Sequence, residues 1–398
     1  MPKRRGVSRM NASVTLLTLI VLFVLGIYYS ITGKNPGGVF EETAAPLTAV
    51  STGASPVVGA PSAAGGAADW WEVYFTDPMN VNNPTEWQGS IEGRLIDKIN
   101  AAQTSIHIVS FEFDLTPVAE ALIAAKQRGV DVRWVTDDES GLGADEDPGR
   151  GQFAMLQNAG IEVRADTRSA LMHNKFWIFD GQIAWTGSTN ITASGVFQQN
   201  NNTVIIHSPE VAAIYEREFA EMWDGNFGPK SPSTVDQQSV IVNGTPIQVY
   251  FSPEDHVLDH MIPLVSNANS SIRFMAFSFT DFPLAKAMLD RASAGVNVAG
   301  VFEKVGSETE SSELHTFFCA KVPARQDGNP KFLHDKVIIV DNRYVISGSF
   351  NFSSNATQNN DENVIIIDNP TIANLYTQEF ERLWSIATDP APSTFTCS

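Results

Sequence analysis

One pattern in the chain occurs twice. His173-Asn174-Lys175, Asp180 and Gly187-Ser188-Thr189-Asn190 return as His334-Asp335-Lys336, Asp341 and Gly348-Ser349-Phe350-Asn351. Both copies fit H-x-K-x4-D-x6-G-S-x-N without an insertion. Other segments repeat around them. Val73-Tyr74-Phe75 reappears as Val249-Tyr250-Phe251, Phe111-Glu112-Phe113-Asp114 as Phe277-Ser278-Phe279-Thr280, and Gly129-Val130-Asp131-Val132 as Gly295-Val296-Asn297-Val298. Pro209, Tyr215, Glu218-Phe219 and Trp223 have counterparts in Pro370, Tyr376, Glu379-Phe380 and Trp384. A chain that repeats itself this way folds as copies of one unit. The expected domains are 70–228 and 246–388, joined by a Pro/Ser-containing linker over 229–245 and followed by a tail over 389–398.

Each copy reads as mixed α and β. Ile106–Phe113 and Ile272–Phe279 are short runs of β-branched and aromatic residues and predict strands, as do Val130–Val135 and Val296–Phe302. Pro117–Arg128 and Pro283–Ala294 are Ala-containing segments with helical spacing. The expected class is α/β: two similar sandwich-like halves, each a mixed β-sheet flanked by helices.

Ahead of the repeat, Val14–Ile31 is free of charge and follows Lys3, Arg4, Arg5 and Arg9. That layout predicts a signal anchor within residues 1–32, placing the rest outside the cytoplasm in a single-pass arrangement, with a cleaved secretory signal as the alternative. Residues 33–69 are rich in Gly, Ala, Pro, Ser and Thr and read as a disordered tether. The net charge is -19. A surface this acidic opposes tight nonspecific binding of nucleic acid. Two cysteines, Cys319 and Cys397, stand outside any zinc or cluster spacing; a disulfide between them and two free thiols both fit.

The chemistry lies in the motif. Phe176-Trp177-Ile178-Phe179 and Val337-Ile338-Ile339-Val340 read as buried strands, and in extended chain a His and a Lys two residues apart point the same way. Asp180-Gly181 and Asp341-Asn342 read as turns, with both aspartates bracing them. At Gly187-Ser188 and Gly348-Ser349 small residues allow close approach of backbone and of Asn190 and Asn351 to an anion. Their serines suit turn chemistry and phosphate contact equally. Two such halves face to face would gather two His, two Lys and two Asn around one phosphoryl group. The lysines then supply the positive charge, so no metal or other cofactor is expected. Asp137, Asp138, Glu139 and Asp145-Glu146-Asp147 read as a solvated loop.

These residues make the chain resemble the phospholipase D superfamily, whose signature is the duplicated H-x-K-D motif. The resemblance spans residues 70–388. It implies a pseudo-twofold fold, one active site between the halves, and a two-step reaction through a phosphohistidine, with His173 as nucleophile and His334 as general acid. Aligning Val204-Ile205-Ile206 with Val364-Ile365-Ile366 sets Glu362 opposite Asn202. Glu362 then corresponds to the family's acidic partner of a catalytic histidine and is expected to back His173. The expected activity is hydrolysis of a phospholipid to phosphatidate by a membrane-anchored monomer. Nuclease action on nucleic acid, phosphatidyl transfer as in cardiolipin synthases, and a binding module with an inactive site are the alternatives.

Overall fold

The computed structural model describes residues 65–76, 78, 90–233 and 237–397. Strands β1 (Gly66–Ala68), β2 (Trp71–Phe75), β3 (Ser105–Ser110), β4 (Asp131–Thr136), β5 (Glu162–Ala165), β6 (Lys175–Phe179), β7 (Ile183–Gly187) and β8 (Asn202–His207) form one sheet in the order β1-β2-β8-β7-β6-β3-β4-β5. The second sheet contains β9 (Ser239–Val242), β10 (Thr245–Ser252), β11 (Ser271–Ala276), β12 (Asn297–Phe302), β13 (Ala324–Gln326), β14 (Lys336–Val340), β15 (Tyr344–Gly348) and β16 (Glu362–Asp368). Its order, β13-β12-β11-β14-β15-β16-β10-β9, read from the β9 edge, is that of the first sheet position for position. In each, three consecutive strands are parallel and the rest antiparallel, so the α/β class with two similar halves holds.

Alternation along the central strands explains why they are apolar on both faces. Phe176 and Ile178 of β6, with Val337 and Ile339 of β14, point into one core that both halves build. Trp177 and Phe179 point the other way, into a core made only by the first half, and Ile338 and Val340 into a core made only by the second. The shared core also takes Tyr215 and Phe219 from the helix Pro209–Trp223, and Tyr376 and Phe380 from the helix Pro370–Ile386. Each of these two helices starts with Pro at its first turn behind a capping side chain, Ser208 or Asn369. Their aromatics cross between halves: Phe75 meets Tyr376 edge-on at 5.0 Å and Tyr215 meets Phe251 at 5.6 Å. Welding the halves through two helices fixes the sheet edges against each other.

Several expectations are corrected here. Gly66–Ala68 forms an edge strand on β2, with Gly66 opposite Val73, so the last residues of the 33–69 tether are ordered in the sheet. Ser239–Val242, read as linker, pairs with β10 through the Asn243-Gly244 turn. No helix among the described residues is long and apolar enough to cross a membrane, which overturns the expected single-pass placement; Val14–Ile31 lies outside the described residues. Cys319 and Cys397 are joined by a disulfide that ties the tail to the helix Leu314–Cys319.

Candidate active site

The motif strands are held by their own turns. Asp180 accepts hydrogen bonds from the backbone of Gln103, Thr104 and Ser105 at 2.6 to 3.0 Å, and Asp341 does the same for Asn269, Ser270 and Ser271 at 2.7 to 3.0 Å. Burial raises both carboxyls, but the amide donors together outweigh it and hold both below their usual range, Asp341 at about 2. Both aspartates therefore pin the far end of the strand, away from the chemistry.

At the near end, Lys175 and Lys336 open β6 and β14, and each histidine sits two residues earlier, just outside the strand. Two reciprocal bridges seat these segments on the opposite half: Met172 pairs with Asp361 and Leu333 with Asn200. The amide of His173 donates to the Asp361 carbonyl at 2.9 Å, and that of His334 to the Asn200 carbonyl at 2.8 Å. These bridges and amide bonds are counterparts 161 residues apart, the mark of an isologous interface within a single chain.

Across this interface each imidazole finds a different partner. His173 Nδ1 lies 2.7 Å from Glu362 Oε2, and His334 Nδ1 lies 2.9 Å from Asn201 Oδ1 and 3.1 Å from the Ser188 carbonyl. A carbonyl only accepts, so His334 Nδ1 carries a hydrogen. Each ring thus spends Nδ1 on the opposite half, which leaves Nε2 for chemistry. The sequence alignment that set Glu362 opposite Asn202 is off by one residue. Gly187 pairs with Thr203 and Gly348 with Val364, so Asn201 is the counterpart of Glu362, and Asn202 that of Asn363. A run of three or four branched residues slides by one without losing its pattern, whereas ladder register does not. Asn202 instead crosses the interface, donating to Asp335 Oδ1 at 2.7 Å and accepting from Ser347 Oγ at 2.7 Å; Asn363 repeats this with Asn174 and Thr186.

The lysines are buried with the histidines. Lys175 Nζ donates to the His173 carbonyl at 2.8 Å and Lys336 Nζ to the His334 carbonyl at 2.7 Å. Phe111 and Phe277 flank them, with the ammonium groups 5.0 and 4.6 Å from the ring centroids and the imidazoles edge-on at 4.9 and 4.7 Å. Burial pulls Lys175 down to about 8 and Lys336 well below its ordinary value, the latter also through repulsion from Lys175. Burial, then the two lysine charges, drive both histidines well below theirs. Glu362 is pushed up to about 7 by burial, opposed by Lys175. A site so crowded with cations is built to receive an anion.

Ser188 Oγ donates to Asn201 Oδ1 at 2.8 Å, and Ser349 bonds the Glu362 carboxylate, so both hydroxyls hold the histidines' partners. Asn190 and Asn351 each keep Oδ1 buried without a hydrogen-bond partner, an acceptor open to a donor on a ligand. Gly187 and Gly348 have φ of 143° and 141°, and a Cβ on either would stand 2.2 Å from the carbonyl oxygen of Asn202 or Asn363. Only glycine lets the turn close on β8 and β16.

Sequence reading missed the supports beneath the histidines. Asp137 is buried, not solvated: its Oδ2 accepts from the Met172 amide at 3.1 Å, and Glu303 Oε2 accepts from the Leu333 amide at 2.6 Å. Their common spacing of 166, that of the Phe111 and Phe277 segments, was the available signal. Asp145 caps the helix Gln152–Asn158 through the Phe153 and Ala154 amides. Asp137, Asp138 and Asp166 bring carboxylate oxygens within 4.8 Å of one another, and Arg168 Nε lies 3.5 Å from Asp166. Among the remaining histidines, His107 stacks on Phe219 and His260 on Tyr250, as core and surface groups do.

Fold and site together define a duplicated α/β chain with paired His–Lys motifs meeting across an internal pseudo-twofold. The family model "Cardiolipin synthase, PLD-like domain" matches residues 95–223 and 261–384, one stretch in each half. The chain belongs to the phospholipase D superfamily and is a phosphodiesterase-type enzyme. It is 34% identical over 141 residues to the mitochondrial cardiolipin hydrolase of Xenopus tropicalis, covering 35% of this chain and 67% of that one. It is 31% identical over 134 residues to a phospholipase D of Rickettsia bellii, covering 34% and 67%. The solved phosphatidylserine synthase of Haemophilus influenzae shares the fold at 14% identity, with a TM-score of 0.58 over 82% of this chain and 88% of that one.

Proposed function

We propose that this chain hydrolyses a phospholipid phosphodiester through a phosphohistidine, with His173 as nucleophile and His334 as general acid. The observation that carries the assignment is the inequality behind the two rings: a carboxylate, Glu362, behind His173 and an amide, Asn201, behind His334. A carboxylate accepting the Nδ1 hydrogen raises the electron density at Nε2 and stabilises the imidazole as it gains positive charge. An amide does neither, and so favours proton release.

In the first step His173 Nε2 attacks phosphorus, the P–N bond forms, and the P–O bond to the leaving alcohol breaks as that oxygen takes the proton from His334 Nε2. In the second, water attacks phosphorus, His334 Nε2 removes its proton, and the P–N bond breaks to return His173. Lys175, Lys336, Asn190 and Asn351 face the nonbridging oxygens, where charge builds in the transition state. Burial depresses His334 most and the lysine charges add to it; the bound phosphate anion offsets the lysine part, which helps it hold the proton it must deliver.

A phospholipid is favoured over nucleic acid by the charge. Apart from Lys3, Arg4, Arg5 and Arg9, 22 cations face 45 acids, a poor surface for a polyanion. The relatives named for cardiolipin hydrolysis and phospholipase D point the same way. The test is phosphatidate release from mixed phospholipid vesicles by the full chain in EDTA, beside His173→Ala and His334→Ala. Release by wild type alone is expected. Failure on vesicles with cleavage of DNA would refute the lipid reading, and lipid product appearing only with an added alcohol would replace hydrolysis by phosphatidyl transfer.

A further inference from the structure

The two halves differ most beneath the histidines. Asp361, immediately before Glu362, is buried at the bridge to Met172 and accepts the Arg168 guanidinium through Oδ2. Its Oδ1 takes the Gly228 amide at 2.5 Å. Arg168 also reaches the Asn359 carbonyl with Nη1 at 3.3 Å and lies with Nε 3.5 Å from the buried Asp166. Asp166 in turn accepts the Asp138 amide at 3.1 Å, beside the Asp137 carboxylate that holds Met172. One cation therefore joins acids from both halves on either side of the segment that carries His173. At the equivalent place in the other half Asp327 still stands where Asp166 does, but the Arg–Asp pair is replaced by two amides: Asn329 Nδ2 donates to Asn200 Oδ1 at 2.7 Å and to the Gln198 carbonyl at 2.9 Å.

We propose that Arg168 is a positioning residue for the nucleophilic step, locking the Asp361-Glu362 strand start to the His173 segment while the amide pair Asn329–Asn200 seats His334. The inference rests on the reading of His173 as nucleophile. Asp361 cannot shift without leaving a buried carboxylate unpaired, so the Glu362 carboxylate is held at bonding distance from Nδ1. A general acid only has to meet a leaving oxygen that the substrate itself brings in, and a neutral pair suffices there. The end of the first half takes part: a Cβ on Gly228 would stand 1.8 Å from Arg168 Nη1, so glycine at this corner clears the guanidinium's place.

The experiment compares full-length wild type with Arg168→Gln, Arg168→Lys and the double variant Arg168→Asn with Asp361→Asn, which copies the neutral pair of the other half. Rapid-quench assays on bis(p-nitrophenyl) phosphate follow the burst of phosphoenzyme, a step whose good leaving group needs no acid. The double variant keeps its fold by thermal melting, and its burst slows roughly 10- to 100-fold, the usual cost of losing such a support, with KM unchanged. Arg168→Gln slows likewise, and Arg168→Lys recovers most of the rate. A wild-type burst in the folded double variant, or a loss expressed in KM alone, overturns the proposal. A burst that survives His173→Ala refutes the nucleophile assignment instead, whatever Arg168 does.

Discussion

Replacing Glu362 by Gln keeps the size of the side chain and an acceptor for His173 Nδ1 but removes the charge. The wild-type contact is a 2.7 Å charge-assisted hydrogen bond with no exposure of the carboxylate. Such bonds contribute about 1.5–3 kcal/mol against about 0.5–1.5 for neutral ones, so the step that places positive charge on His173 loses about 1 to 2 kcal/mol. That converts to a roughly 5- to 30-fold slower formation of the phosphoenzyme. The pH dependence is the sharper signature. Burial raises the Glu362 carboxyl to about 7, so in wild type the burst rate climbs as pH rises through that value and the carboxylate forms. His173 itself lies well below its ordinary value and contributes no limb there. The Gln variant should show a slow burst without that limb, leaving only the fall as Lys175 loses its proton, at about 8 in wild type. The stability sign is opposite: between about 4.5 and 7 the folded state holds a proton that the unfolded chain has lost, so stability falls as pH rises, and the variant loses that slope. Stopped-flow bursts from pH 5 to 9 measure the first, and denaturant melts the second. A variant with the wild-type rate and an intact limb near 7 would refute the reasoning.

Three further outcomes are expected. Asp341→Ala should cost about 1 to 3 kcal/mol in urea denaturation while kcat stays within about twofold, because four hydrogen bonds at one turn are lost far from the histidines. The carboxyl lies at about 2 when folded, so its contribution is full above about 4 and fades as pH falls toward 2 in wild-type melts. Gly348→Ala should lower stability by at least about 2 kcal/mol and reduce activity, since the new Cβ must displace the Asn363 carbonyl in the strand that starts with Glu362; a thermal melt unchanged from wild type would contradict this. Reduction of Cys319–Cys397, 78 residues apart, should cost about 4.5 kcal/mol by loop-closure entropy, visible as a lower denaturation midpoint after dithiothreitol.

The duplication was legible because it is a matter of identity. Six polar and glycine positions recur at fixed spacing, and the unbroken apolar runs Phe176–Phe179 and Val337–Val340 gave the strands. His173, Lys175, His334 and Lys336 were therefore found as residues, and Asp180 and Asp341 as braces. The register of β8 was not legible, because Thr203-Val204-Ile205-Ile206 and Val364-Ile365-Ile366-Ile367 match almost equally in two alignments. Asp137 looked like one more acid in an acidic loop, since the bond that ties it to the site comes from the Met172 amide, 35 residues away, while its other oxygen caps the loop's own Glu139 and Ser140 amides. The edge strand Gly66–Ala68 was hidden because its small residues carry no strand signal and owe their conformation to β2 beside them.

By itself, then, the sequence determined that two similar α/β units would each present a histidine and a lysine, since local periodicity and a repeated motif act within a few residues of chain. Which carboxylate stands behind which histidine was decided only by the folded pair. Glu362 and His173 are 189 residues apart, and their meeting depends on strand register and on two helices packed into a shared core. An error of one residue in that register exchanges the partner of His334 from Asn201 to Asn202, because neighbouring side chains in a strand point to opposite faces.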